Sequence, residues 1–217
     1  SGSNSFNTGV GSGALHDIDT GSYNSAFGAN ALYSNTTGAT NTAVGYESLY
    51  SNTAGDYNST LGIYSLYSNT TGNNNLGIGH RAGYHNQTGS FNIAMGDQAL
   101  FGATGQSHSY NTAIGRSSLF NVTSGSYNTA IGPYGLYDLT TGSFNNAMGY
   151  FAAESITSGV NNTAIGTQSL SFNETGNYNV AIGTTALSGS AGNSHSYNTG
   201  IGVSAMRNIT TGASNTA

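Results

Sequence analysis

The chain has 217 residues, with 33 Gly, one Pro, no Cys, no Trp and a net charge of -5. Its 36% of hydrophobic residues and 15 Tyr exclude a charge-driven disordered chain. Three cations, Arg81, Arg116 and Arg207, cannot neutralise a phosphate backbone, which argues against a nucleic-acid partner, and no apolar run approaches the roughly 18 residues of a membrane span.

From Asn7 onward one unit recurs. Its copies begin at Asn7, Asn24, Asn41, Asn58, Asn75, Asn92, Asn111, Asn128, Asn145, Asn162, Asn179 and Asn198, with another start at Asn215, and every interval is 17 residues except two of 19. A fixed short period means one supersecondary unit stacked on copies of itself. The whole chain, 1–217, is therefore expected to form a single β-solenoid repeat domain, a fragment of a longer fibre.

The consensus unit is N-T-A-I-G-x-x-x-L-Y-x-N-x-T-G-x-Y, as in Asn128 to Phe144. Position one is always Asn and position five always Gly, exemplified by Asn41 and Gly45, Asn111 and Gly115, Asn128 and Gly132, and Asn162 and Gly166. These pairs are expected to form a structural ladder. Position four is always apolar, position three is small or Thr, and position nine is Leu in nine copies. Recurrent Gly with Asn, Thr and Ser between disfavours helix. The pattern predicts an all-β parallel solenoid, with a strand at T-A-I-G, a second strand at x-L-Y-x, and turns closed by Gly at positions five and fifteen with positive φ. Coils pairing at about 4.8 Å would give a rod of roughly 58 Å. Positions four and nine are expected to fill the thin core, leaving small position three as a face for a partner and favouring a homotrimer or end-to-end stacking.

Asn and Thr suit Asx- and ST-type turns, and stacked Asn side chains can bond from coil to coil. Position seventeen is aromatic in eight copies: Tyr23, Tyr57, Phe91, Tyr110, Tyr127, Phe144, Tyr178 and Tyr197. The longer intervals end in GQSHSYN (105–111) and GNSHSYN (192–198), 87 residues apart, and the aromatic lost at Asn74 is lost again 87 residues on, at Asn161. This recurrence supports duplication of a five-coil block. His108, Tyr110, His195 and Tyr197 would then protrude on equivalent loops, as candidate surface contacts.

The strings at 111–115, 128–132, 162–166 and 179–183 resemble the head repeats of YadA-like trimeric autotransporter adhesins. The form N-T-A-V-G-Y-E-S-L-Y-S-N-T at 41–53 is similar to repeats of bacterial and phage tail-fibre-like surface proteins. The resemblance covers every coil and implies a left-handed β-roll, a side-by-side homotrimer, and a role in attachment.

An enzyme needs convergent polar groups, whereas the acidic residues are scattered. No cofactor is expected. His80 and His85 flank Arg81 without a third metal ligand in view. The expected function is a non-enzymatic extracellular fibre or adhesin segment, at a cell surface or on a virion fibre, contacting itself and a cell-surface glycan. A purely structural self-assembling filament is one alternative. An ice-binding solenoid is another, given Thr37, Thr71, Thr88, Thr141, Thr175 and Thr211 at position fourteen and Thr42, Thr112, Thr129, Thr163 and Thr199 at position two. N-x-T at Asn35, Asn69, Asn86, Asn121, Asn173 and Asn208 would allow glycans along one edge.

Overall fold

The computed structural model describes residues 6–190, 192, 194–210 and 212–217. The chain forms two compact units, Ser1–Tyr110 and Asn111–Ala217. Both are parallel β-solenoids, without helix among the described residues.

In the first unit the strands are β1 (Thr8–Val10), β2 (Ser25–Phe27), β3 (Thr42–Val44), β4 (Ser59–Leu61), β5 (Leu76–Ile78) and β6 (Ile93–Met95). Each pairs in parallel with the next, equivalent residues facing one another, as Ala26 faces Ala43. The second unit repeats the scheme with β7 (Thr112–Ile114), β8 (Thr129–Ile131), β9 (Asn146–Met148), β10 (Thr163–Ile165), β11 (Val180–Ile182) and β12 (Thr199–Ile201).

Among the described residues each repeat holds one strand, not two. The expected second strand at x-L-Y-x is a turn in which alternate residues, positions seven and nine, take positive φ, for example Tyr64 (58°) and Leu66 (49°), or Tyr134 (59°) and Leu136 (50°). A left-handed residue with a side chain costs about 1–2 kcal/mol. Backbone bonds to both neighbouring coils hold it there: Leu66 N–H donates to the Ala82 carbonyl at 2.9 Å, and Tyr64 N–H to that of Tyr46 at 3.0 Å.

The core also differs from expectation. Position-three Ala (Ala26, Ala43, Ala94, Ala113, Ala130, Ala147, Ala164, Ala181) and position-nine Leu are buried, whereas position four points outward, with Val10, Phe27, Leu61, Met148, Ile165 and Ile201 exposed. Alternation along a strand puts residues two and four on the face opposite residue three. The coil is so thin that Leu and small position-eight residues, such as Ala31 and Ser48, leave room across from them only for a small side chain, a methyl group in most coils and in one the Thr60 side chain, which bonds the Ser48 hydroxyl. Position three is therefore interior, and it offers no face to a partner.

Glycine at positions five and fifteen serves different needs. Gly62, at position five, has φ 146°, and a Cβ there would strike the Gly79 carbonyl of the next coil. Gly55, at position fifteen, does not take positive φ, contrary to expectation, but a Cβ would lie on the Gly72 carbonyl oxygen. Close stacking, not turn conformation, demands it.

Position thirteen adds a hydroxyl ladder: Thr140 Oγ1 donates to the Thr157 carbonyl at 3.0 Å. That oxygen also accepts backbone N–H bonds from Thr140 at 2.8 Å and Thr141 at 3.1 Å. Because the acceptor stays satisfied, Thr140→Val is expected to cost only about 0.5 kcal/mol in urea titration.

Candidate interaction surface

Two Asn ladders account for the invariant polar positions. At position one, Asn58 N–H and Nδ2 donate to Asn41 Oδ1 at 2.9 and 3.2 Å, and Nδ2 also donates to the Gly72 carbonyl at 2.8 Å. Asn75 then donates to Asn58 Oδ1 in the same way. In the second unit Asn128, Asn145, Asn162 and Asn179 repeat the pattern, starting from Asn111 Oδ1. A second ladder at position twelve joins Asn35, Asn52 and Asn69 at 2.7 and 2.8 Å. In the second unit buried Val122, Leu139 and Ile156 take its place. Both solutions fill the same interior volume, the amides by bonding one another and the aliphatic chains by needing no partner.

Burial removes four of the candidate glycosylation sites, because Asn35, Asn69, Asn86 and Asn173 are buried with Nδ2 engaged. Asn121 and Asn208 sit one position earlier in the repeat and are not buried.

The two longer coils place their histidines inside. His108 and His195 are each 2% exposed; they do not protrude. The loop tip is instead residues 104–106 in the first unit. Aligning HSYN with the GSYN of 125–128 gives the register: histidine occupies position fifteen, otherwise Gly, in the two coils that carry two additional residues. That alignment was available from the sequence. Asn92 Nδ2 donates to the His108 carbonyl at 2.9 Å and Asn179 Nδ2 to that of His195 at 2.8 Å, so the backbone still serves the Asn ladder. Among the described residues neither ring nitrogen of His108 has a hydrogen-bond partner, nor has Nε2 of His195. Burial pushes His108 down from 6.5 to about 4, and burial lowers His195 as well.

Tyr110 and Tyr197 do face solvent. Each is stacked on the preceding aromatic of its column, Tyr110 on Phe91 and Tyr197 on Tyr178, both with centroids 5.1 Å apart. A further ring stack runs along position ten through His16, Tyr33, Tyr50, Tyr67, Tyr84 and Phe101. Rings 5 Å apart in register cover each other's faces and present their edges to water.

The remaining polar candidates separate. His80 Nδ1 lies 2.9 Å from Asp97 Oδ1, while His85 meets the rings of Tyr84 and Phe101 edge-on. Among the described residues no group of three or more His, Cys, Asp or Glu stands together. Position-two Thr lies on the strands and position-fourteen Thr in a turn, so they do not share one flat array; Thr211 lies outside the described residues. No helix among the described residues is long and apolar enough to cross a membrane.

What these features define is a parallel β-solenoid repeat protein with a bonded polar interior and a regular apolar exterior. Comparison with protein-family models, with curated proteins and with solved structures finds no match to the chain.

Proposed function

We propose that the chain is a segment of a non-enzymatic extracellular fibre or adhesin, at a cell surface or on a virion, built of twelve left-handed coils and assembled side by side as a homotrimer. The observation that carries this reading is the outward strand face. Parallel sheets are normally covered on both faces, yet here Val10, Phe27 and Leu61 in one unit and Met148, Ile165 and Ile201 in the other remain exposed. This face replaces position three as the surface offered to a second copy. The repeat's resemblance to YadA-like heads and tail-fibre proteins points the same way. Chemistry-bearing side chains are scattered, while the amides are spent on holding coils together, which suits a scaffold that presents a surface.

Light scattering on the whole chain tests the assembly. Wild type is expected at about three times the 22.0 kDa chain mass, and Leu61→Glu with Ile165→Glu is expected to release monomer with little change in thermal transition, since both side chains are already exposed. A wild-type mass of one chain removes the trimer. Adhesion of the purified protein to cell surfaces tests attachment separately, and an assembly that adheres to nothing is a plain structural filament.

A further inference from the structure

The exposed aromatic column at position seventeen lacks rungs at Thr40, Asn74, Asn161 and Ser214, of which the first three lie between two aromatic rungs. Where the column is continuous its rings stack nearly parallel, as Tyr127 on Phe144 (5.0 Å, 4°) and Tyr178 on Tyr197 (5.1 Å, 10°). A missing rung therefore leaves a slot two coil steps deep, about 10 Å between ring planes. In the first unit Tyr57 and Phe91 flank Asn74; in the second Phe144 and Tyr178 flank Asn161. The flanking rings are 50–61% exposed, and none of the four stacks on a ring across its gap. Asn74 (φ 56°) and Asn161 (φ 56°) keep the backbone conformation of the aromatic rungs, such as Tyr57 (φ 58°). Both Asn residues are exposed. The gap thus keeps the shape of the column and replaces one ring by an amide.

We propose that each Asn gap is a saccharide subsite, holding one hexopyranose residue between two aromatic faces with the amide bonding its hydroxyls; this deepens the attachment reading and rests on it. A pyranose chair with equatorial hydroxyls has two C–H faces and a polar rim. The slot matches it, with a ring face on each side and an amide at the base able to donate and accept. A flat aromatic ring would fill the gap only as the ladder itself does elsewhere, and a chair is thicker. The two equivalent slots are 87 residues apart in sequence, so a fibre would carry the subsite repetitively. Weak single contacts then sum through multivalency.

The test completes the ladder. Full-length wild type and the variant T40Y/N74Y/N161Y are titrated with methyl β-D-glucopyranoside and with the N-acetylglucosamine trimer, followed by tyrosine fluorescence and saturation-transfer NMR, alongside cell adhesion and particle mass. Wild type is expected to bind with Kd about 1 mM, with saturation transfer to the C–H faces. The completed ladder is expected to lose at least about tenfold in affinity, roughly 1.4 kcal/mol, without lowering Tm, since Tyr already occupies this conformation elsewhere in the column. Tyr57→Ala with Phe144→Ala is expected to weaken binding in the same direction by opening one wall of each slot. Saccharide binding unchanged in the completed ladder overturns the subsite, as does a variant whose only change is in particle mass, which would assign the gaps to a ring of a second copy. Wild type that adheres to cells but binds neither saccharide overturns the subsite and leaves attachment standing. Failure of both saccharide binding and adhesion overturns both.

Discussion

Asn58→Ala is expected to cost about 3 kcal/mol, and to do so from a single surface-inaccessible amide. Asn58 Oδ1 accepts from Asn75 N–H at 3.0 Å and from Asn75 Nδ2 at 3.1 Å, while Asn58 Nδ2 serves Asn41 Oδ1 at 3.2 Å and the Gly72 carbonyl at 2.8 Å. Truncation strands one group in the next coil: the Asn75 N–H loses its acceptor, whereas the Gly72 carbonyl keeps Asn69 Nδ2 at 3.1 Å and Asn41 Oδ1 keeps the backbone N–H of residue 58. A buried unpartnered group costs roughly 1–3 kcal/mol each, and the vacated volume adds a cavity term. Asn58→Asp restores the acceptor but cannot donate, and it buries a charge, so it is not expected to rescue. Urea titration of the two variants against Thr140→Val makes the contrast direct: one buried amide against one hydroxyl whose acceptor keeps other donors. A loss below about 1 kcal/mol for Asn58→Ala would mean that water or relaxation replaces the ladder bonds.

Acidification from pH 7 to pH 4 is expected to remove about 3 kcal/mol through His108. Its pKa falls from 6.5 to about 4 on folding because the ring is desolvated. Between those values the unfolded chain binds a proton that the folded chain refuses, so stability rises with pH across this window and is lost as pH falls. A difference of that size corresponds to about 3 kcal/mol at 1.36 kcal/mol per unit. His195, lowered by burial too, acts in the same direction. Glu154 acts oppositely, since burial raises it. The comparison is therefore made between wild type and His108→Leu, in which the carboxylate contribution cancels. Leu fills much of the imidazole volume and needs no hydrogen bonds, so the variant is expected to be at least as stable at pH 7 and to show a flatter dependence of Tm on pH between about 6.5 and 4. Equal slopes would place the histidine in water.

The period, the parallel stacking and the β-solenoid character were legible in the sequence, because Asn and Gly recurring at fixed positions permit little else. The columns alone also assigned Asn41, Asn128 and Asn162 to a ladder. Alternation along T-A-I was equally plain in Ala130 and Ile131, but alternation has two solutions, and hydrophobicity favours the larger residue inside. Only the tertiary structure chose Ala130, because Leu136 and the residue beside it leave the width of a methyl group across the coil. The same thinness replaced the expected second strand by alternating left-handed residues at Tyr134 and Leu136, a backbone path that local propensity opposes and bonds from two neighbouring coils enforce. His108 and His195 read as loop residues because an insertion normally lies on the surface. Their interior placement depends on register with Gly89 and Gly176 in the preceding coils, whose lack of a side chain lets the histidine backbone approach. What the sequence by itself determined was which residues stack on which. Which side of each column faces water was decided by the thickness of the coil, a length that appears only once the chain has closed on itself.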